Sequence, residues 1–402
     1  MKILIVSQYY FPEQFQINDI APELVKRGHD VTVLTGFPNY PKGELYPGYE
    51  KMDKTCEIID GVNVVRVKIR PRKKGPVNLL LNYISYSRNA LKYVKKTKER
   101  FDIVLCYQLS PVTMAAPAVA YAKKHKVPLL LYCLDIWPES AQAYVKFKKG
   151  LVYAYISKLS KRIYKQCDKI AVSSRPFIDY LHDKNEIAYE KMLYIPQHAD
   201  ASYLDMDLTA QENGVVDFMY AGNIGKGQVI DVIVNAVKTI KNRDRFVVHI
   251  VGDGSQRKRI EEMVNSFGLS EKFIFYGNRK REDMPGLYKK ADALLLTLRG
   301  NNYVGNTMPG KLQTYMTTGK PVLAAINGAA NEVICESGCG KCTIACDYVG
   351  LAEIMSDYID NKSNYAECGK NGKEYFKKHF TLDKYADELE KNLIELVKNN
   401  EF

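Results

Sequence analysis

Long hydrophobic runs are missing from this 402-residue sequence. The longest mostly apolar stretch, residues 103–122, is broken by Gln108, Ser110, Pro111 and Pro117. It reads as strand, loop and helix rather than as a bilayer span, and no segment is expected to cross a membrane. Leader features are missing too. Met1-Lys2 runs straight into Ile3-Leu4-Ile5-Val6, with neither the order of a signal peptide nor an Arg-rich transit segment. A disulfide framework is not expected either. The nine cysteines are an odd number without a secretory signal, which points to a reducing compartment. Four of them, Cys335, Cys339, Cys342 and Cys346, are spaced C-x3-C-x2-C-x3-C, whereas zinc ribbons pair C-x2-C knuckles across a longer loop. Here they fall along a helix end, a Gly turn and a strand. Cys339 belongs to the turn with Gly340, and the other three are expected to be small buried residues. No low-complexity segment or short repeat is present.

Acidic residues are scarce in one half. Residues 1–199 carry 32 Lys+Arg against 18 Asp+Glu, a balance of +14; the remainder carries 26 against 28, or −2, and the two sum to the net +12. Residues 66–100 hold twelve basic side chains and one acid, Glu99, while residues 146–165 hold seven and no acid. This asymmetry points to an anionic partner for the first half. Nucleic acid is not the expected one, because no recognisable nucleic-acid module or aromatic stacking motif accompanies the charge.

What is present is a regular alternation. Strand-length, β-branched runs at 2–7, 30–35, 62–69, 102–107, 128–134, 169–172 and 192–195 are separated mostly by helical patterns. Among these are 18–27, stopped by Gly28, and the longer 77–98 and 151–167. The second half repeats the alternation, with strands near 217–220, 246–251, 273–276, 293–296, 321–325 and 341–344. Such an order implies α/β domains with parallel, doubly wound sheets, and the length favours two of them. The polar stretch 197–211 is the join, giving domains at 1–198 and 199–380. A last helix over 382–399 carries Tyr385, Leu389, Leu393, Ile394, Leu396 and Val397 on one stripe. Open sheets bind ligands outside the carboxyl ends of their strands, so two that face each other share a cleft.

Two Gly-rich turns in the second half carry the chemistry. One follows the strand at 217–220 as Ala221-Gly222-Asn223-Ile224-Gly225-Lys226-Gly227. The other, Asn301-Asn302-Tyr303-Val304-Gly305-Asn306-Thr307-Met308-Pro309-Gly310-Lys311, opens a helix that stops at Gly319, before Lys320-Pro321-Val322-Leu323. A Gly/Pro-rich turn at a helix start presents unpaired N–H groups and the positive end of the helix dipole, which suits a diphosphate. Lys226 and Lys311 add positive charge. The two turns are expected to hold one nucleotide diphosphate between them.

Further runs complete a family pattern: Gln8-Tyr9-Tyr10-Phe11-Pro12-Glu13, Arg27-Gly28-His29-Asp30-Val31-Thr32-Val33-Leu34-Thr35-Gly36, Pro38-Asn39-Tyr40-Pro41 and Asp135-Ile136-Trp137-Pro138-Glu139-Ser140. With the two turns, and in this order, the chain resembles the retaining nucleotide-sugar glycosyltransferases of family 4 type over nearly its whole length. Their GT-B architecture is two Rossmann-like, doubly wound parallel-sheet domains facing a cleft. It is most similar to the WbuB-like branch, which builds bacterial surface polysaccharides. The resemblance implies an acceptor-binding first domain, a nucleotide-sugar-binding second domain, and a C-terminal helix at 381–402 that crosses back to the first.

It also implies no cofactor and no divalent metal, with Lys226, Lys311 and backbone amides stabilising the leaving diphosphate. Gly222, Asn223, Gly225, Thr307, Met308, Pro309 and Gly310 would shape the donor site. Asp253, in Val251-Gly252-Asp253-Gly254-Ser255, either shapes the nucleotide pocket or serves as a turn and N-cap residue. Asn278 and Arg279 lie on the loop whose backbone reads the base edge. The family's Glu-x7-Glu pair is missing, since Asn306 and Thr314 stand at its positions. Glu332 remains as an acid near the cleft or as a helix-start residue. In the first domain, Glu13 and Gln14 fall in a segment that replaces the usual Gly-Gly loop. Asn39 and Tyr40, with Trp137 and Glu139, would line the acceptor side. Asp135 stands near the place where the wider family often has a catalytic His, and would orient or deprotonate the acceptor hydroxyl.

The expected activity is transfer of a sugar from a UDP-N-acetylhexosamine or UDP-N-acetyl-deoxyhexosamine to a polyprenyl-diphosphate-linked acceptor, in capsule, O-antigen or exopolysaccharide assembly. The expected place is the cytoplasmic side, peripheral on the inner face of the cytoplasmic membrane. Docking on anionic lipid would use residues 66–74 and the basic faces of helices 77–98 and 151–167, with Leu79, Leu80, Leu81, Tyr83, Ile84 and Tyr86 beside that charge. The competing readings are a soluble enzyme of the same fold acting on a small sugar or sugar nucleotide, and a basic nucleic-acid-binding protein. The basic first domain speaks against the former.

Overall fold

A computed structural model describes residues 1–140, 150–210, 212–241, 243–300 and 307–400 of the chain. It divides into two compact units, Met1–Gln197 together with Leu382–Phe402, and His198–Thr381.

In the first unit, β1 (Lys2–Val6), β2 (Asp30–Gly36), β3 (Cys56–Ile59), β4 (Val62–Val67), β5 (Ile103–Gln108), β6 (Leu129–Cys133), β7 (Lys169–Val172) and β8 (Met192–Tyr194) form one sheet. Its order is β3-β4-β2-β1-β5-β6-β7-β8. Every pair is parallel except β3 with β4. β1, β5 and β6 read as continuous apolar runs because helices cover both faces of a parallel sheet. β3 is absent from the sequence reading. Its residues alternate exposed and half-buried at the sheet edge, so no buried run marks it. The signal that would have found it is Asp60-Gly61, both at positive φ, the turn of a hairpin.

Helices α1 (Ile17–Lys26), α2 (Pro76–Lys96), α3 (Ala116–His125), α4 (Leu151–Tyr164) and α5 (Pro176–Asn185) connect these strands. α2 begins with Pro76 after Gly75 at φ +94, and it buries Asn82, Tyr83, Tyr86, Ala90 and Val94. Tyr83 and Tyr86 are therefore core residues and not part of an outer apolar face, which corrects the sequence expectation. The apolar side chains left outside are Val77, Leu80 and Ile84, at 67%, 57% and 50% exposure. They are spaced three and four apart, so they share one stripe. α4 leaves Leu151, Val152 and Tyr155 exposed.

In the second unit, β9 (Val216–Ala221), β10 (Phe246–Val251), β11 (Phe273–Gly277), β12 (Ala293–Thr297), β13 (Val322–Ala325) and β14 (Gly340–Thr343) form a sheet in the order β11-β10-β9-β12-β13-β14. All its pairs are parallel. The helices are α6 (Asp231–Thr239), α7 (Arg257–Ser266), α8 (Met284–Tyr288), α9 (Gly310–Thr318), α10 (Ala329–Ser337), α11 (Tyr348–Asp360) and α12 (Cys368–His379). They enclose two apolar clusters, one containing Ile233, Ile260 and Met355, the other Leu287, Leu312, Val333 and Phe376.

The last helix, α13 (Leu382–Asn400), belongs to the first unit. Its Tyr385, Leu389, Leu393 and Leu396 join the core that holds Ile3, Ile20, Leu24 and Tyr132. Arg27 Nη1 donates to Asp387 Oδ1 and Glu390 Oε2, both at 2.9 Å, which fixes α13 to the end of α1.

The cysteine expectation needs correcting. Cys339 is buried and Cys342 half-buried, but Cys335 and Cys346 are exposed. Cys346 has φ +67 and is exposed, not one of the small buried residues expected. Among the described residues no group of His, Cys, Asp and Glu is placed to hold a metal ion, and no helix is long and apolar enough to cross a membrane.

Candidate active site

β9 and β10 both end in glycine turns at the carboxyl edge of the second sheet. Gly222 turns at φ +148 and Gly252 at φ +130. A Cβ on Gly252 would stand 1.9 Å from the Gly222 carbonyl oxygen, so only glycine fits there. The two loops close to backbone contact. Ile224 N–H donates to Asp253 O at 2.8 Å, and Gln256 N–H donates to Ile224 O at 2.9 Å.

Over this crossing lies the first turn of α9. Tyr315 is buried, and its hydroxyl accepts the Ala221 N–H at 2.8 Å and donates to the Ala221 carbonyl at 3.1 Å. One turn earlier, Lys311 is carried over the end of β9. Its ammonium lies 4.3 Å from the centroid of the Tyr220 ring and donates to the Tyr220 hydroxyl. That hydroxyl in turn donates to Asn223 O at 2.8 Å. The lysine stem runs so close to Gly222 that a Cβ there would be 2.8 Å from Lys311 Cδ. Burial brings the Lys311 pKa down to about 8. Among the described residues no carboxylate pairs with it. Pro309 is the extended N-cap of α9, and its own side chain makes no cap. The result is a cation, a glycine crossing and a helix start, together suited to an anion.

The other expected donor residues are placed unevenly. Thr307, Met308 and Pro309 are half-buried, and Gly310 is exposed with open space around it. Thr314 turns its hydroxyl back onto Gly310 O at 3.1 Å. Asn306 lies outside the described residues. Lys226 is exposed and lines a concavity of about 210 Å3 with Gly225, Gln256, Arg259 and Arg299, which Lys311 does not line. Asn223 reaches Gln228 Oε1 at 3.4 Å.

Asp253 is not a helix cap: α7 takes Gln256 as its N-cap, and Asp253 instead accepts from Gly254 N–H at 2.7 Å and pairs with Arg257 at 3.2 Å. The chain needs three more residues to clear the crossing before the helix can start. Asn278 and Arg279 are exposed beyond β11. Beneath them Tyr276 OH lies 2.9 Å from His249 Nδ1, and His249 Nε2 lies 2.7 Å from Asp217 Oδ1. Glu332 is exposed in the first turn of α10. Sequence reasoning missed Tyr220, Arg259 and Arg299. Arg299-Gly300 comes two residues after the end of β12, near the place where Gly222 follows β9, and that was the available signal for Arg299.

In the first unit Glu13 is 1% exposed, and its Oε1 accepts the backbone N–H groups of Asn39 and Tyr40, each at 2.7 Å. Its Oε2 has no hydrogen-bond partner among the described residues. Burial pushes the carboxyl up to about 7, against the pull of those N–H bonds. Asn39 is engaged too, its Oδ1 accepting from Arg72 N–H at 2.8 Å and Asn82 Nδ2 at 3.3 Å. The rings of Tyr9, Phe15 and Tyr40 cluster within 5.0–5.7 Å of one another, and the Arg72 guanidinium lies 5.2 Å from the centroid of Tyr40. Gln14 is exposed.

Asp135 receives the hydroxyls of Ser110 and Ser140, one on each oxygen, and burial raises its pKa. Trp137 Nε1 donates to Ser110 Oγ at 2.8 Å. Glu139 accepts from Tyr153 OH at 2.6 Å and Tyr180 OH at 2.5 Å, which ties it to α4 and α5. Asp135 and Trp137 thus share one network through Ser110, whereas Glu139 is spent on the two tyrosines.

Comparison with known proteins bears on this arrangement. Residues 15–203 match the family model "Glycosyltransferase Family 4", and residues 209–375 match "Glycosyl transferases group 1". An Escherichia coli K12 protein, provisionally named colanic acid biosynthesis glycosyl transferase WcaI, is 23% identical over 339 residues, covering 79% of this chain and 82% of the relative. Among solved structures, Anabaena Alr3699/HepE in complex with UDP superposes with a TM-score of 0.71 at 15% identity, covering 98% of this chain and 100% of that one. Sucrose-phosphate synthase from Thermosynechococcus elongatus gives a TM-score of 0.74 at 15% identity over 99% of both chains. Matched in order by the two models from residue 15 to residue 375, and built as two parallel-sheet α/β units, the chain belongs to the group 1 and family 4 glycosyltransferases of the GT-B fold.

Proposed function

We propose that the protein transfers a sugar, with retention at the anomeric carbon, from a UDP-sugar to a polyprenyl-diphosphate-linked acceptor in the assembly of a surface polysaccharide. The single observation that carries the donor side is Lys311, a largely buried ammonium with no carboxylate partner among the described residues, held over the Gly222 turn by Tyr220. As the bond from the sugar to the diphosphate breaks, negative charge grows on the leaving oxygen. A preorganised cation and the start of α9 offset it. Lys226 belongs to the same role through the adjoining concavity, where Arg299 adds charge while Asp231 pairs with Arg259 at 3.6 Å. With cations at these turns, no divalent ion is needed. UDP is favoured because HepE binds it on the same fold, and polysaccharide assembly because WcaI carries that name.

The acceptor side rests on the first unit's excess of charge and on its apolar stripe. Val77, Leu80 and Ile84 stand exposed on α2, directly after the basic loop at 70–74, and Leu151, Val152 and Tyr155 stand exposed on α4. Basic residues beside exposed apolar ones suit an anionic membrane surface, each contributing about 1 kcal/mol. A polyprenyl-linked acceptor stays in such a surface. Asp135, with Ser110 and Trp137, would orient the acceptor hydroxyl.

Two measurements test the proposal. In a melting-temperature screen of UDP, GDP, ADP and TDP without metal, UDP should stabilise most, and activity should survive EDTA. In vesicle flotation the protein should float with anionic lipid at low salt and with neutral lipid weakly or not at all. Activity restored only by Mn2+, or equal flotation with both lipids, would contradict the corresponding half.

A further inference from the structure

A second cavity of the second unit, about 620 Å3, lies at the amino ends of the strands, away from the glycine turns: Asp292, just before β12, and Pro321, just before β13, line it. Lys320 lines it as well and is only 7% exposed. Among the described residues only its backbone N–H is engaged, on Thr318 Oγ1 at 3.3 Å, and its ammonium has no partner. Asp292, Lys362 and Asp207 line the same cavity as Lys320 and act on its ammonium through space. The residue as a whole is buried, and its ammonium is left without a protein partner among the described residues.

The nearby acids are largely committed. Asp292 Oδ1 pairs with Lys362 Nζ at 2.7 Å, and its Oδ2 accepts the Asp217 N–H at 2.8 Å. Asp207 Oδ1 accepts the Thr209 N–H at 3.0 Å. Glu212, also at the cavity, is exposed to solvent. On the positive side, Lys370 and Lys373 stand on α12, a twelve-residue helix that starts at the cavity. Lys373 gives its ammonium to Leu204 O at 2.7 Å, and Lys370 lies at the solvent edge, 3.9 Å from Glu367. The N-cap of α12, Glu367, makes no side-chain cap. Gly369 brings the first turn up to the backbone of Gly319, where a Cβ would stand 1.9 Å from the carbonyl oxygen.

We propose that this cavity binds a phosphate group, free or carried by a small sugar, between the ammonium of Lys320 and the first turn of α12, with Lys370 at its edge. An uncapped helix start and a cation without a partner are the two halves of a phosphate site. The cavity is large enough for a sugar beside the phosphate. The site is distinct from the donor turns and does not depend on which nucleotide those turns hold.

Calorimetry on the full chain tests this, with inorganic phosphate in one arm and glucose 6-phosphate in the other. Wild type and Lys311→Ala should both bind saturably, the latter because phosphate held in the donor turns would be lost with Lys311. Lys320→Met should bind about tenfold more weakly or not at all, the loss of a hydrogen bond to a charged group. Tighter binding of glucose 6-phosphate assigns a sugar phosphate; equal or tighter binding of inorganic phosphate assigns the free ion. In phosphate-free buffer Lys320→Met should melt no lower than wild type, and a clear drop would show that the ammonium already has a protein partner and overturn the proposal. So would the absence of saturable heat with both probes, or binding kept in Lys320→Met and lost in Lys311→Ala. Should Lys320→Met fail to fold, the exposed Lys370→Ala decides, and unchanged binding there overturns the site.

Discussion

With its pKa brought down to about 8, Lys311 keeps its proton at neutral pH and loses it in mild base. A diphosphate would favour the ammonium, so the affinity for UDP should fall as pH rises through 8, and binding there should take up a proton. Calorimetry in buffers of different ionisation heat measures that uptake. Lys311→Ala should cost roughly 2.7–4 kcal/mol in the transfer step while the protein still melts close to wild type. Turnover within a few-fold of wild type would remove Lys311 from the mechanism. Glu13 shifts the other way. Its folded pKa of about 7 lies above the ordinary 4.5, so between those values the native state holds more protons than the unfolded one. Stability therefore falls as pH rises through that window. Glu13→Gln keeps an oxygen for the Asn39 and Tyr40 N–H groups and removes the charge. It should be more stable than wild type above pH 7, by roughly 1–3 kcal/mol, and should show no gain below 4.5. Denaturation at pH 4 and pH 8 checks the sign. That Lys311 stands at a helix start was legible in the sequence from the Gly/Pro turn before it. Tyr220 was not, since a tyrosine inside a buried strand looks like core until α9 is laid across it. Nor could a sequence show that Glu13 faces backbone N–H groups 26 and 27 residues away.

At the level of elements, the donor turns depend on two backbones touching. Gly252→Ala would drive a methyl to 1.9 Å from the Gly222 carbonyl, and neither loop can move without dragging a central strand. The expected result is a loss of about 2 kcal/mol or more together with loss of UDP stabilisation in the melting assay. A normal melt with normal UDP response would show the crossing to be looser than described. Most strands could be read from the sequence because a parallel sheet buried on both faces leaves continuous apolar runs. β3 escaped for the opposite reason, being half-wet and antiparallel at an edge. The two sides of α2 were visible as a pattern. Which aromatics turned inward was not, because Tyr83 and Tyr86 face the unit only once β2 and β6 have placed Leu34 and the loop with Trp137 beside them.

At the scale of the whole molecule the division in two and the uneven charge were both legible, since strand count and net charge survive without coordinates. The place of α13 followed from family resemblance, its apolar stripe being equally suited to a dimer contact. In the structure that stripe completes the first unit's core. Leu389→Ala should therefore cost about 2–5 kcal/mol. Hydrogen exchange should quicken in β1, α1 and β6 and stay unchanged in β9 to β14; equal quickening in both units would contradict this division of the core. The same arrangement sets an order of events on the ribosome. Residues 198–381 are contiguous and emerge whole before α13 does. The first unit, although synthesised first, waits with Ile20, Leu24 and Tyr132 uncovered until the helix from Leu382 arrives. A nascent chain halted just short of that helix would carry every residue of the second unit and a first unit still lacking the stripe of α13 in its core.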